Sequence, residues 1–204
     1  MTEDPWAPLA ALHAQLPRGE LDRYVDELER WNRTIRLVGP RDRDGIRLQV
    51  IDAVLPFLHL PPRFPLLDIG SGAGLPGIPL ALLHPQGAIL CMEPRIKRVA
   101  FLRHACRVLA LNNVRVIAER TSGALLADPS LAHGVLTATA RAVADVPSLL
   151  DAAAPFLAPG GRVVLPRGGE DKSPPPPGWE RSRCLPYVAP KPLGSRSVQE
   201  FRRS

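Results

Sequence analysis

The chain has 204 residues and a mass of 22.2 kDa, enough for one well-buried domain with a short appendage and too little for a two-domain enzyme. No apolar run reaches the roughly 18 residues of a membrane span, the acidic start predicts no signal peptide, and three cysteines without metal-ligand spacing, Cys91, Cys106 and Cys184, predict a reduced compartment. The net charge of +6 is uneven, with −1 over residues 1–63, +3 over 64–166 and +4 over 167–204, a balance compatible with a phosphate-rich partner.

The first sixty residues read as helices. Leu21, Tyr24, Val25, Leu28, Trp31 and Ile35 recur at intervals of three and four, and a second helical pattern runs from about Gly45 to Leu58 until Pro61 and Pro62 stop it. After Phe64 the period changes. Short apolar runs at 65–69, 88–92, 114–118 and 135–139 predict buried parallel strands. A helix opening near Pro76 and further helices over Lys97–Leu111 and Val146–Phe156 alternate with them, and a last strand, Arg162–Leu165, follows the turn Pro159-Gly160-Gly161. The alternation predicts an α/β fold around a mostly parallel sheet with helices on both faces. Beyond the four prolines 174–177, Leu185–Val188 and Val198–Phe201 are candidate edge strands, and the bases Arg181, Arg183, Arg202 and Arg203 are candidate phosphate contacts. The expected division is a helical cap over 1–63, a core over 64–168 and a Pro-rich basic tail over 169–204.

One stretch carries chemistry. In Leu66-Leu67-Asp68-Ile69-Gly70-Ser71-Gly72-Ala73-Gly74-Leu75-Pro76-Gly77, an apolar strand feeds a glycine-rich turn that opens a helix, with Pro76 near its first position. Such a turn lets a ligand approach backbone where a Cβ would collide and sets it before unpaired N–H groups. Residues 72–77 satisfy G-x-G-x-x-G, and Glu93 follows Gly72 by 21 residues, which also fits a dinucleotide site. Asp68 at the strand end argues for a ligand with positive charge over a diphosphate. His13, His59, His84, His104 and His133 form no cluster and read as surface residues.

The run LLDIGSGAGLPGIPLALLHP, followed by Glu93 and by Lys97-Arg98-Val99-Ala100-Phe101-Leu102, resembles the RsmG (GidB) methyltransferases, as do Trp31-Asn32, Ala140-Arg141-Ala142, Pro159-Gly160-Gly161-Arg162 and the late Arg196. The resemblance implies a Rossmann-like methyltransferase core under a helical cap, using S-adenosyl-L-methionine to methylate N7 of a guanine in the decoding region of 16S rRNA. By the resemblance Gly70 and Leu75 line the methionine end, Glu93 takes the ribose hydroxyls, Thr121 and Ser122 flank the adenine, and Arg141 faces cofactor or target as the positioning group. Asp68, Ser71, Gly72 and Gly74 complete the expected cofactor site, with no metal. The expected partner is 16S rRNA or a small ribosomal subunit precursor, with no membrane involved and the protein a cytoplasmic monomer. The chain departs from the family pattern in its cap: Arg36-Leu37-Val38 stands for N-L-T, and Leu48–Ala53 keeps only Asp52 of R-H-I-x-D-S. Those departures leave two rivals, a methyltransferase acting on another RNA or a small molecule, and a cofactor-binding module without turnover.

Overall fold

Five short strands, β1 (Leu66–Ile69), β2 (Ile89–Met92), β3 (Val114–Ile117), β4 (Val135–Ala140) and β5 (Leu157–Arg167), pair in parallel in the order β3-β2-β1-β4-β5. The computed structural model describes residues 4–11, 15–141, 145–169 and 173–204; His13 and Ala142 lie outside them. Helices cover both faces of the central strands, and all four residues of β1 are buried. Helices α1 (Arg18–Asn32), α2 (Arg43–Val54), α3 (Pro56–His59), α4 (Gly77–Leu83) and α5 (Ile96–Val108) build one core cluster with Leu66, Ile89 and Val164. Helices α6 (Thr121–Ala127) and α7 (Val146–Ala153) lie in a second, with Leu67, Ala138 and Val163. Neighbouring strand residues thus divide between the two faces, as a pleated sheet requires. The α/β fold expected from the alternation is the fold observed.

The amino-terminal helices share the first of these cores. α1 buries Leu21, Tyr24, Val25 and Leu28, while Asp42 caps α2 by accepting from the Gly45 N–H at 2.7 Å. The second helix, expected as one element to Leu58, divides at Pro56, whose ring removes the N–H that a continuous helix would use. His84 and His104 are half-buried instead of lying on the surface. The His84 ring packs 5.2 Å from Phe64, and His104 lies 5.2 Å from Trp31 with Nε2 2.8 Å from Glu27.

Other differences have local causes. α6 is absent from the sequence reading because Thr121–Ala127 buries only Ala124 and so carries no apolar stripe. The expected turn at Pro159–Gly161 is instead part of β5. There Gly160 adopts φ +72°, the β4 pairing shifts register, and a Cβ on Gly161 would meet the Val135 carbonyl at 2.8 Å. The two candidate tail strands are longer, β6 (Trp179–Ala189) and β7 (Gly194–Arg203). Only β6 is an edge, since β7 lies antiparallel between β5 and β6. Their pattern is obscured by polar side chains inside the sheet. Glu200 is buried, ion-paired to Arg162 at 2.6 Å and Arg202 at 2.8 Å, and accepts from Ser182 at 2.7 Å. Burial opposes its ionisation, but the bonds from Ser182, Arg202 and Arg162 outweigh that and hold its pKa down at about 2.

This topology fixes where a ligand can sit. The chain leaves β1 toward β2 on one side, while β4 and β5 add on the other. The crevice beyond the carboxyl ends of β1 and β4 is therefore the switch point of the sheet.

Candidate functional site

The glycine turn occupies that crevice, and its glycines divide between two jobs. Gly72 adopts φ +56° and borders the cavity, and its N–H donates to Glu93 Oε2 at 2.9 Å. Gly74 and Gly77 serve packing. A Cβ on Gly74 would lie 2.4 Å from Ile78 Cγ1 and 3.0 Å from Leu102 Cδ2, and one on Gly77 would lie 2.6 Å from Cys91 Sγ. The turn can approach α5 and β2 this closely only because both positions lack side chains.

The cavity measures about 550 Å³, within the range of small-molecule sites. It brings together six of the expected residues, Gly70, Ser71, Gly72, Leu75, Glu93 and Arg141. Asp68 and Gly74 lie beneath the turn instead of on the wall. Asp68 is fully buried, its Oδ2 accepts from the Gly77 N–H at 3.1 Å, and its Oδ1 has no hydrogen-bond partner among the described residues. Thr121 and Ser122 begin α6 after β3, at the same end of the sheet but outside the cavity lining. Glu93, 2% exposed, also accepts from the Arg95 N–H at 2.9 Å through Oε1 and faces Arg98 at 3.8 Å.

The cap closes the other side through residues that the sequence reading left out. Leu37, Val38, Gly39 and Gln49 line the cavity, with Ala73, Pro94, Arg95 and Arg98 from the core. The Trp31-Asn32 pair, which the sequence reading gave only as part of the family resemblance, holds the 37–39 segment in place. Asn32 Oδ1 accepts from the N–H groups of Leu37 (2.8 Å) and Val38 (3.1 Å), and its Nδ2 donates to the Pro40 carbonyl at 2.7 Å, so one side chain holds the 33–40 loop against the site. Trp31 meets Phe101 edge-on at 5.6 Å, and Tyr24 donates to the Ala73 carbonyl at 2.5 Å, tying α1 to the glycine turn. Arg141, at the end of β4, is held by the cap. Its Nη1 donates to the Gln49 carbonyl at 3.1 Å, and Nη2 reaches Gln49 Oε1 at 2.9 Å and Asp52 Oδ2 at 2.6 Å.

Over residues 18–174 the chain matches the family model described as GidB, rRNA small subunit methyltransferase G. The chain belongs to this family. A GidB relative, the ribosomal RNA small subunit methyltransferase G of Wolinella succinogenes, is 36% identical over 148 residues, covering 72% of this chain and 74% of that protein. The protein of the same description from Xanthomonas axonopodis pv. citri is 34% identical over 187 residues, covering 89% and 84%. Among solved structures, a SAM dependent methyltransferase from Aquifex aeolicus shares the fold with a TM-score of 0.56 at 15% identity, covering 88% of this chain and 97% of that one. GidB membership settles the reading of the glycine pattern: the literal G-x-G-x-x-G at 72–77 belongs to a methyltransferase turn, not to a dinucleotide site.

The carboxylates at the turn suit S-adenosyl-L-methionine, which carries ribose hydroxyls, an ammonium and a sulfonium. One buried carboxylate, Glu93, borders the cavity, and a carboxylate is an acceptor suited to hydroxyls. A second carboxylate, Asp68, lies under the turn with one oxygen that has no partner among the described residues, and its charge would oppose a diphosphate but favour an ammonium or sulfonium.

Proposed function

We propose that the protein binds S-adenosyl-L-methionine in this cavity and methylates N7 of a guanine in the decoding region of 16S rRNA, on a small ribosomal subunit precursor in the cytoplasm. The observation that carries the proposal is the convergence of Gly72, Glu93 and Arg141 on one cavity in a chain of the GidB family. S-adenosylmethionine would supply an electrophilic methyl group on its sulfonium. Glu93 would accept hydrogen bonds from the ribose hydroxyls, Gly70, Gly72 and Leu75 would border the methionine end, and Thr121 and Ser122 would approach the adenine edge.

Guanine N7 carries a lone pair and no proton, so the reaction asks for no general base. The chain's task is to hold the base in line with the methyl group, an effect that can reach about 7–11 kcal/mol in the best cases. Arg141 suits that task, because a guanidinium can donate to guanine O6 while leaving N7 open. The base must first leave its stack to reach the cavity. Labelled S-adenosylmethionine incubated with undermethylated small-subunit particles, followed by nucleoside analysis, should give labelled 7-methylguanosine. A different labelled nucleoside, or label only in a small molecule, overturns the target, and binding without transfer supports the non-catalytic rival.

Asp68 gives the site a pH signature. Burial is the main reason its carboxyl is pushed up to about 7, against the pull of the Gly77 N–H. Below about pH 4 it is neutral whether the chain is folded or not. Between about 4 and 7 the unfolded chain releases the proton and the folded chain keeps it, so the contribution of Asp68 to stability falls across that window and levels off above it. A cationic ligand favours the carboxylate. Affinity for S-adenosylmethionine should therefore rise from pH 6 to pH 8, with proton release near pH 6.5 that calorimetry in two buffers of different ionisation heat detects. Asp68→Asn should remove the dependence, and an affinity that is flat in wild-type protein speaks against the assignment.

Four of the tail bases, Arg181, Arg183, Arg202 and Arg203, stand apart from the site. Phe201 pairs with Val163, so Arg202 and Arg203 continue toward the amino-terminal end of β5, away from the cavity. Arg181 and Arg183 lie on β6, the fourth strand from β1, roughly 19 Å away at the usual strand spacing. Converting all four to Gln should leave the salt dependence of RNA binding close to that of wild type. A slope reduced by about 0.7 for each arginine would make the tail a phosphate contact surface after all.

A further inference from the structure

We infer that Asp52 is a positioning residue for methyl transfer, which sets Arg141 at the cavity and is itself held in place by Arg196. The inference rests on the function proposed above. Asp52 lies on α2 and does not line the cavity, yet its carboxylate is the meeting point of three separate segments. Oδ2 accepts from Arg141 Nη2 at 2.6 Å, from the end of β4, and Oδ1 accepts from Arg196 Nε at 3.2 Å, from β7. The Asp52 side chain is 12% exposed, Arg141 20% and Arg196 23%, so water screens these contacts less than it screens a surface ion pair.

Each partner is anchored on its far side. Arg196 Nη1 donates to the carbonyls of Leu193 in the hairpin turn and of Ser195, its neighbour on β7. Tyr187, paired across the hairpin with Arg196, stacks on His59 of α3 at 4.9 Å, a second contact between hairpin and cap. Arg141 spends its other two bonds on Gln49, a cavity-lining residue one turn before Asp52. Three of the five guanidinium hydrogens of Arg141 are thereby committed to α2. The direction in which its two remaining donors, one on Nε and one on Nη1, can face follows from where Asp52 is held.

The charge count gives the arrangement a specific signature. One carboxylate serves two guanidiniums. Without it, two like charges are left close together, and each should turn away from the other. Arg196 supports the placement of Arg141 only through Asp52, and what is left between them once Asp52 is neutralised is repulsion, so removing Arg196 should then cost nothing further. A merely structural contact between cap and hairpin would instead give losses that add.

The test is a double-mutant cycle on the full chain, with Asp52→Asn, Arg196→Met and the pair, read by methyl transfer to small-subunit particles and by calorimetric affinity for S-adenosylmethionine. Asp52→Asn should lower kcat by about 30- to 100-fold, as expected for misplaced reacting groups, and leave cofactor affinity within about twofold because Asp52 makes no cavity contact. Arg196→Met alone should lower kcat by about 3- to 10-fold, and the double variant should be no slower than Asp52→Asn. Asp52→Glu should recover part of the rate by restoring the charge one methylene out of place. Multiplying losses, an unchanged kcat, or a loss confined to cofactor affinity overturns the inference. If wild-type protein does not methylate the particles, the proposed substrate fails and Asp52 is judged by amide exchange over residues 43–54. Faster exchange in both Asp52→Asn and Arg141→Ala sustains the clamp, and exchange equal to wild type removes it.

Discussion

Arg141→Ala is expected to lower methyl transfer by about 10²-fold, the loss associated with an ångström of misplacement at a reacting centre, in a protein that still folds. The side chain borders the cavity and is oriented by Gln49 and Asp52. Truncation abandons no charge entirely, because Asp52 keeps Arg196 at 3.2 Å. The stability cost should therefore be about 1–2 kcal/mol, well short of the 3–5 kcal/mol that follows when a buried ion loses its only partner. Arg141→Lys should recover part of the rate, since an ammonium keeps the charge but cannot reproduce three bonds made in the plane of one guanidinium. The check is single-turnover methyl transfer beside thermal unfolding. Wild-type turnover in a folded Arg141→Ala protein would make this arginine a tether between cap and core and nothing more.

Gly72→Val should abolish cofactor binding while leaving the fold in place. At φ +56° a side chain costs about 1–2 kcal/mol, more when it is β-branched. The protein itself leaves room, with the nearest atoms to a Cβ being Arg98 Nη1 at 3.5 Å, the Gly70 carbonyl at 3.7 Å and Glu93 Oε2 at 4.0 Å. Strain and added bulk therefore fall on the cavity wall, where the Gly72 N–H orients Glu93. A drop in melting temperature of about 2–8 °C is consistent with that strain in a chain of this length, whereas calorimetry should show at least a 100-fold loss of S-adenosylmethionine affinity, the scale of a ligand that can no longer reach its backbone contacts. Binding at wild-type affinity would move the ligand away from Gly72 and remove the glycine turn from the proposed site.

The glycine-turn half of the candidate site was legible because its pattern is local. An apolar strand, a glycine turn and a helix follow one another within residues 66–83, and the acid at the end of the next strand is Glu93. The roles within the turn were less legible. Gly72 borders the cavity and Gly74 packs on Ile78, yet both are the same residue in the same pattern, and only the neighbours across space separate them. The hairpin was harder still, because buried Gln199 and Glu200 interrupt the alternation that marks a strand.

The sequence by itself determined the α/β core, the place of the glycine turn and the family, since strand, turn and helix are set by hydrophobic period and backbone freedom over a few residues. Tertiary structure decided what surrounds that turn. Asn32 brings Leu37 and Val38 to the cavity, Tyr24 reaches Ala73 across 49 residues, and Asp52 meets Arg141 and Arg196 across 89 and 144. It also carried Arg202 and Arg203 to the end of the sheet away from the cavity, although they lie only a few residues beyond Arg196, because an antiparallel strand runs away from the ligand end as it advances. Contacts of this range depend on how whole elements pack, and no spacing along the chain records them.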